Sequence, residues 1–231
     1  MDQLTQVAHT IALTMGVAWA SGINLYAAIL VLGLLGASGH MVLPENLVML
    51  SDPLVVSAAG FMYVVEFFAD KIPGIDSGWD AVHTFIRIPA GAALAAAAVG
   101  DVSPAVAVAA GIVGGGISAG AHATKAGSRV LINTSPEPFS NWIASVSEDI
   151  IVIGGLFTAL YHPWLFIVLL LLFILFMAWF FPKLWRGLKK LFSFIGRLFG
   201  GKAEKESMPK EEPTAEKPKI EAPVAEDSKE V

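Results

Sequence analysis

Long apolar stretches alternate with short polar segments along most of this chain. Each stretch is close to the length of about 20 residues that a membrane-spanning helix needs. Because lipid cannot satisfy unpaired backbone groups, we expect these stretches to be helical. The pattern predicts six spanning helices, at approximately 9–37, 54–70, 82–100, 103–123, 142–161 and 163–182.

The composition places the chain among integral membrane proteins. Hydrophobic residues make up 55% of its 231 residues and charged residues only 15%, whereas about 25% charged residues is usual in a soluble domain. The N-terminus has no Lys or Arg before its first apolar stretch, unlike a signal peptide, so we expect this helix to be retained. The helix is long enough to be tilted, or interrupted at Ser21-Gly22.

The basic residues indicate the orientation in the membrane. The chain up to residue 182 contains only Lys71, Arg87, Lys125 and Arg129, all in the connections at 71–87 and 124–141 that the pattern predicts. By the positive-inside rule these connections lie in the cytoplasm. Six spans then place both termini in the cytoplasm as well.

The C-terminal region differs from the rest of the chain. Residues 183–202 alternate aromatic or aliphatic side chains with basic ones at helical spacing, which predicts an amphipathic helix on the anionic lipids of the inner leaflet. Residues 203–231 are rich in Glu, Lys, Pro and Ala, which predicts a disordered cytoplasmic tail. Residues 1–182 form the transmembrane domain.

Two segments of the transmembrane domain have similar sequences. LPENLVMLSDPLVVSAAGF (43–61) and SPEPFSNWIASVSEDIIVIGGLF (135–157) both have Pro-Glu and then an acid, Asp52 or Asp149, before an apolar helix. Each half of the chain would hold three helices, so the halves must have opposite orientations, as in many transporters. We therefore predict an all-α fold with a 3+3 inverted repeat. The halves cover approximately residues 8–100 and 103–182.

The stretch EFFADKIPGIDSGWDAVHTFIR (66–87) gathers ionisable side chains between two apolar stretches. Glu66 and Asp70 lie one turn apart on a helix face, and Glu66 lies within the apolar run. Burial favours the protonated form of a carboxyl group, so Glu66 is a candidate proton carrier. The candidates for proton or cation coupling are Glu66, Asp70, Asp80, His83, Arg87, Glu148 and Asp149.

The stretch HATKAGSRVLINTSPEPFSNWIASVSED holds most of the remaining polar side chains. His122, Lys125 and Arg129 have the spacing of one helix face, and together with nearby amides they could bind a phosphate or carboxylate. The segment SGINLYAA aligns with AGAHATKA in the repeat and adds Asn24 and Tyr26. The substrate-binding candidates are Asn24, Tyr26, His122, Lys125, Arg129 and Asn133.

The same charged residues have a second interpretation. Arg87 or Lys125 near helix ends can extend to lipid headgroups, and side chains of opposite charge can form a satisfied ion-pair network that only holds helices together. The first interpretation is a polar pathway, because ionisable residues within a span usually face one. The sequence leaves both open.

Other kinds of site are disfavoured. The chain has no Cys, which excludes thiolate catalysis and Cys-based metal sites. The acids between Glu66 and Asp80 match no standard cation loop, so we expect no metal. GASG (36–39), followed by His40, matches the serine motif of rhomboid-like intramembrane proteases. Ser38, however, lies at an outer helix end without a matching buried His, so we expect no enzyme. We also expect no cofactor and no nucleic-acid partner.

Two longer strings, EFFADKIPGIDSGWDAVHTFIRIPAGA and GAHATKAGSRVLINTSPEPFSNWIASVSED, resemble a bacterial inner-membrane family catalogued as domain-of-unknown-function family 4126. The resemblance covers roughly residues 8–180. It implies a polytopic domain in the bacterial inner membrane and names no substrate.

These features predict a transporter, in the lipid bilayer, of a small polar or anionic solute or a lipid headgroup. The alternative is a non-transporting membrane scaffold that recruits partners through residues 183–231. The sequence leaves open whether the protein forms a homo-oligomer.

Overall fold

The structure is a computed structural model that describes residues 2–72, 74–133 and 138–199. Within these residues the protein is all-helical, as the sequence predicts. Contacts divide the chain into two units, residues 1–191 and 192–231. The helices are α1 (Gln3–Ala37), a 3₁₀ helix (Glu45–Ser51), α2 (Pro53–Ala69), α3 (Ile75–Ala98), α4 (Pro104–Ile132), α5 (Pro138–Tyr161) and α6 (Pro163–Phe199).

Five or six of these helices can cross a membrane. The helices α1, α3, α4, α5 and α6 are each long and apolar enough alone. The 3₁₀ helix and α2 are long and apolar enough only when they are taken together, and a bend of 68° separates them. Asp52 begins α2 as its N-cap and accepts a hydrogen bond from the Leu54 amide at 2.8 Å. The six-span prediction therefore holds if this bent pair is a single span.

Two predicted helix boundaries differ from the structure. Helix α3 begins at Ile75 rather than near 82, and α4 continues to Ile132 rather than ending near 123. Arg87 and Arg129 are fully buried, and Lys71 and Lys125 are nearly so. These four cations are therefore side chains of the bundle interior, not exposed loop residues, so the orientation remains a prediction.

Helix α1 forms the centre of the bundle and contacts α2, α3, α4 and α5. Small residues allow this close packing. A Cβ atom on Gly22 would collide with the Ser118 carbonyl oxygen of α4, and one on Gly114 of α4 would collide with Ala95 of α3. The backbones of α1, α3 and α4 are thus in direct contact.

Helix α1 is broken at Asn24, where φ is −145° and ψ is 96°. The Oδ1 atom of Asn24 accepts a hydrogen bond from the Ala27 amide at 2.9 Å, so Asn24 caps the helical segment that follows. The sequence predicts a possible interruption at Ser21-Gly22, two to three residues earlier. The break leaves the preceding carbonyls, including that of Ile23, without helical partners.

The C-terminal predictions are only partly described by the structure. Helix α6 continues through Pro182 without a separate start for the basic segment 183–202. The interfacial role of that segment remains a prediction, and the tail 203–231 lies outside the described residues. Nothing tests the 3+3 repeat, whose second Pro-Glu pair (136–137) also lies outside them.

Candidate functional site

Seven charged side chains from α2 to α5 form one buried cluster, which we call the charged network. Each member has an oppositely charged partner within 4.0 Å. All were predicted as site residues, although the sequence could not show that they meet. The members are Glu66 and Asp70 near the end of α2, Asp80 and Arg87 on α3, Lys125 and Arg129 on α4, and Glu148 on α5.

Arg87 joins α2, α3 and α4. Its Nη2 atom donates to Glu66 Oε1 at 2.7 Å, and its Nη1 atom donates to Asp80 Oδ1 at 2.8 Å. Nη1 also lies 3.3 Å from His122 Nδ1. Arg87 and Glu66 are fully buried, so each needs the other because an unpaired charge in the interior is very costly.

Lys125 lies at the centre of the charged network. Its Nζ atom donates to Asp70 Oδ2 at 2.7 Å and to the Ile23 carbonyl at 3.2 Å. Glu66 Oε1 and Glu148 Oε2 lie slightly farther from Nζ, at 3.5 and 3.6 Å. The break in α1 thus supplies one ligand of the ammonium group, and carboxylates supply the others.

Arg129 fixes α5 against α4 and the end of α2. Its Nη2 and Nε atoms donate to the two carboxylate oxygens of Glu148, at 2.7 and 3.2 Å. Its Nη1 atom donates to the carbonyls of Asp70 at 3.0 Å and Asn141 at 3.2 Å. A bidentate pair of this kind is among the strongest charge-assisted contacts.

Asn133 belongs to a neighbouring group rather than to the charged network. Its Nδ2 atom donates to both carboxylate oxygens of Asp76, at 2.8 and 2.9 Å. Asn141 donates to Asp76 Oδ2 and to Asn133 Oδ1. The structure therefore gives Asn133 a structural partner at the start of α3 and places it beside Asp76 instead of beside Lys125.

Hydrogen bonds identify a protonated nitrogen in each predicted histidine. Arginine can only donate, so His122 Nδ1 accepts from Arg87, and Nε2 carries the proton and donates to Thr84 Oγ1 at 2.7 Å. His83 Nδ1 lies 2.9 Å from the Trp79 carbonyl, an acceptor, so this nitrogen is protonated. Its Nε2 atom is hydrogen-bonded to the Tyr26 hydroxyl, with 3.1 Å between the two atoms.

Asn24 and Tyr26 connect the break in α1 to other helices. The Nδ2 atom of Asn24 donates to Asp149 Oδ1 of α5 at 3.1 Å, and Tyr26 contacts His83 of α3. Asp149 is thus paired with an amide and is not part of the charged network. These three predicted site residues are near the network but hold the broken helix in place.

Lys71, which was not predicted as a site residue, lies between α2 and α5. Its Nζ atom donates to the Phe67 carbonyl at 2.9 Å and to Ser145 Oγ at 3.3 Å. Burial lowers the pKa of Lys71, and the negative charges of Asp149 and Asp70 partly oppose this change. Lys71 is therefore a further cation at this end of the bundle, in addition to the three cations of the charged network.

The charged network contains one more acid than base. Glu66, Asp70, Asp80 and Glu148 face three cations, all joined by the contacts above. One oxygen each of Glu66, Asp70 and Asp80 is buried without a hydrogen-bond partner. With all seven side chains ionised, the charged network therefore has one negative charge more than it has positive charges.

No metal site is evident in the described part of the chain, where no three His, Asp or Glu side chains are arranged to hold an ion. The prediction that the acids of 66–80 hold no metal stays a prediction.

A cavity of about 240 Å³ reaches the charged network from the side of α6. Lys125 and Glu148 contribute to its wall, together with the hydroxyl groups of Thr124 and Ser128. Glu148 is the most accessible acid of the network, with 18% of its side chain exposed, whereas that of Asp70 is 5% exposed. The network is therefore closed on most sides and open toward this cavity.

The family of the chain follows from a comparison with known proteins. A family model described as a domain of unknown function (DUF4126) matches residues 11–183. The chain belongs to this family. No curated protein and no solved structure matches the chain. The charged network lies wholly within the DUF4126 region.

Several polar residues around the charged network were not predicted as site residues. On α5 of the DUF4126 region, Asn141 and Ser145 are buried, and they share one helix face with Glu148, which was predicted. This spacing was the available signal, but the stretch resembled an ordinary loop followed by a helix. Asp76 lies in the first turn of α3 and accepts from the Gly74 and Ser77 amides; the sequence singled it out only among the acids of 66–80.

Proposed function

We propose that the protein moves a small polar or anionic solute across the membrane together with a proton. We place it in the bacterial inner membrane with both termini in the cytoplasm. The single observation that carries the proposal is the position of Lys125. This cation lies on a cavity wall and is held by Asp70 and by a carbonyl freed at the break in α1. Broken helices at ion and substrate sites are a feature of transporters.

The pairing of Lys125 with Asp70 supports coupling between proton and solute. While Asp70 is ionised, it occupies the ammonium group at 2.7 Å. Uptake of a proton makes Asp70 neutral and removes most of this attraction, because the interaction is between full charges. Lys125 then keeps only its longer carboxylate contacts, such as those with Glu66 and Glu148 at 3.5 and 3.6 Å, and can take an anion from the cavity as its closest partner. Release of the proton on the other side of the membrane restores the pair and expels the anion.

The same logic applies to Arg129 and Glu148. Glu148 holds the guanidinium group of Arg129 at 2.7 Å and is partly exposed to the cavity. Glu148 is therefore placed to exchange protons with the cavity. Glu66 and Asp80 lie deeper, around Arg87, and their surplus charge attracts the proton to the charged network.

The test is solute-driven proton movement in proteoliposomes. Purified protein is reconstituted with a pH indicator inside, and small carboxylates and phosphate are added outside one at a time. Undissociated carboxylic acids also cross protein-free bilayers and acidify the interior, so the signal is the excess over protein-free vesicles. We expect one solute to give such an excess, and we expect Asp70→Asn and Lys125→Met to abolish it. Glu45→Gln is the matched control, because Glu45 is an exposed acid outside the charged network.

A structural role alone predicts a different result. If the charged network only holds the helices together, Asp70→Asn and Lys125→Met reduce folded protein and the wild-type vesicles show no solute-driven signal. Deletion of residues 203–231 gives a further distinction. A transporter keeps its flux without the tail, whereas a scaffold that recruits partners loses its interactions.

A further inference from the structure

Both ends of α1 lie at the same end of the bundle. A cavity of about 370 Å³ is lined by His9 and Leu13, near the start of α1, and by Met41 and Leu43, which follow its last residue. Residues at the ends of α3 and α5 also line it, so it lies opposite the charged network, and we call it the far cavity. A straight helix of the 35 residues of α1 would be about 52 Å long, so α1 must fold back on itself.

The first arm of α1, residues 3–23, runs antiparallel to α5. Within this arm, a Cβ atom on Gly16 would contact the Ala159 side chain, near the end of α5. Just beyond the arm, Asn24 donates to Asp149, which is nearer the start of α5. The first arm therefore runs from the far cavity toward the charged network.

The second arm, residues 25–37, runs back along α2. A Cβ atom on Gly60 would lie 3.7 Å from the Leu30 side chain. One turn further along the arm, a Cβ atom on Gly33 would lie 2.9 Å from Val56, which is one turn nearer the start of α2. Because α2 runs toward the charged network, the second arm runs away from the network and ends beside the far cavity.

The turn between the two arms lies in the charged network. Asn24, the non-helical residue at this turn, is buried, and non-helical backbone at membrane depth is tolerated only where it is buried in protein or lines an aqueous cavity. The Ile23 carbonyl at the turn accepts from Lys125 Nζ at 3.2 Å, and Asp70 accepts from the same atom at 2.7 Å. One ammonium group therefore holds both a carboxylate and the tip of α1.

The second arm and the 3₁₀ helix form one unit with a hinge point at each end. A Cβ atom on Gly33 would collide with the Leu50 carbonyl oxygen of the 3₁₀ helix, so the two elements are in direct backbone contact. The hinge points are the break at Asn24 and the bend of 68° between the 3₁₀ helix and α2. A cavity of about 280 Å³ lies between the second arm and α2. Residues 25–51 therefore have two hinges and space to move into.

We propose that residues 25–51 are a gate between the charged network and the far cavity. The gate turns at its two hinges into the space beside α2, and a path then opens between the two arms of α1. This inference rests on the proposed transport function. It supplies the second opening that transport needs, in addition to the cavity beside Lys125.

The contacts of Lys125 couple the gate to the proposed chemistry. While Asp70 is ionised, it holds the ammonium group next to the Ile23 carbonyl, and the tip of α1 is fixed. Uptake of a proton by Asp70 removes the attraction between full charges, and an anion then draws Lys125 away from the carbonyl. The gate therefore opens when the network is loaded and closes when the pair with Asp70 forms again.

The path of α1 also changes its position in the membrane. By length and composition α1 counts as one span, but a hairpin enters and leaves the membrane on the same side. Helices α2 to α6 then make the crossings, and the start of α1 lies on the side of the far cavity. This position replaces the cytoplasmic N-terminus of the proposed function and leaves its other parts unchanged.

Single cysteines test the hairpin first, because the chain has no Cys of its own. Gln3→Cys marks the start of α1, Asp101→Cys the far end of the bundle and Gly78→Cys the charged end, and all three positions are exposed. An impermeant maleimide is added to intact cells and then to broken cells. We expect Gln3→Cys to be labelled from the same side as Asp101→Cys. Labelling from the side of Gly78→Cys would mean that α1 crosses the membrane, and would overturn the inference.

A pair of buried neighbours then tests the gate. Val17 and Ala18 of the first arm are both fully buried. Val17 lies one turn beyond Leu13, on the face that lines the far cavity, whereas Ala18 faces Gly114 of α4. An impermeant thiosulfonate added from the far side should label Val17→Cys about tenfold faster when Asp70→Asn is also present. Ala18→Cys should stay unreactive with and without Asp70→Asn.

An unchanged rate for Val17→Cys would overturn the gate. Equal acceleration of Val17→Cys and Ala18→Cys would do the same, because the path would not follow the face of the far cavity. If Asp70→Asn does not fold, the two cysteines are compared at falling pH with Asp70 in place, since its protonation has the same effect.

Failure of the proposed function has a different signature. In that case no solute drives protons in wild-type vesicles, although Val17→Cys reacts as expected. A proton signal from a solute, together with a Val17→Cys that stays protected, would leave transport intact and remove the gate alone.

Discussion

The two sides of α1 are packed in different ways. On the side of α2 to α5, the charged network joins the helices through contacts of 2.7–2.8 Å between buried side chains such as Arg87 and Glu66. On the other side, α6 contacts α1 through rings, with Trp19 edge to face against Phe166 and Phe173. We call the first side, where the charged network is almost fully buried, the closed side. The two cavities that Trp19 and Phe173 line lie on the second side.

The difference follows from the forces that act between helices in lipid. Apolar side chains gain little by leaving lipid for another helix, so close backbone packing and polar contacts hold helices together. The charged network and small residues such as Gly22 provide both on one side. The aromatic contacts of α6 provide neither close backbone packing nor polar contacts. We therefore expect α6 to be attached to α1 more weakly than the helices of the other side are.

The largest effect is expected from Arg87→Met. This change leaves Glu66 and Asp80 without their closest cation, and breaking a buried pair from one side costs about 3–5 kcal/mol. The free energy of unfolding in mixed detergent micelles measures it. Arg186→Met is the control, because Arg186 is exposed and contacts only the Pro182 carbonyl in the described residues.

A double variant separates lost charge pairing from lost packing around Arg87. If unpaired charge is the cause, Arg87→Met combined with Asp80→Asn is more stable than Arg87→Met alone. Equal stability of the two variants would attribute the loss to the shape of the guanidinium group, and the closed side would then depend on packing instead of charge.

A smaller effect is expected from adding one methyl group on each side of α1. Gly22→Ala forces a Cβ atom against the Ser118 carbonyl oxygen and within 2.8 Å of the Ala121 Cβ atom, and overpacking of this kind costs about 1–3 kcal/mol. Gly154→Ala adds the same group in open space, where alanine is favoured over glycine in a helix by about 0.5–1 kcal/mol.

A loss of stability in Gly22→Ala together with a gain in Gly154→Ala would support the difference between the two sides of α1. Thermal unfolding of both variants in the same lipid measures these changes. Similar losses for Gly22→Ala and Gly154→Ala would mean that α5 is also closely covered at Gly154.

The sequence predicted the residues of the charged network better than their contacts. Helical spacing put Glu66 with Asp70, and Lys125 with Arg129, on shared faces, because spacing along one helix is a local property. The pairing of Lys125 with Asp70 across helices depends on how α1 is broken at Asn24 and how closely it packs. No local pattern encodes either feature.

The same limit explains the residues whose partners were not anticipated. An amide such as Asn133 close to basic residues is typical of an anion site. In the structure the partner of Asn133 is Asp76, which lies far away in sequence. This pairing depends on how α3 and α4 pack against each other. Trp19 was not predicted as a site residue either. Its edge-to-face contacts with Phe166 and Phe173 exist only once α1 and α6 are packed together.

The smallest expected effect is on the pH dependence of stability, through Lys71 on the closed side. Its pKa in the folded protein is below the ordinary value of 10.5 because of burial. Between the lowered pKa and 10.5, the unfolded chain therefore holds more protons than the folded one, and the free energy of unfolding rises with pH. The rise cannot exceed about 1.4 kcal/mol per pH unit for one proton.

Lys71→Met should remove this rise while keeping the packing against Phe67. Unfolding titrations of both proteins just below pH 10.5 measure the difference. A steeper rise in Lys71→Met than in wild type would mean that the negative charge of Asp149 and Asp70 outweighs burial at this position.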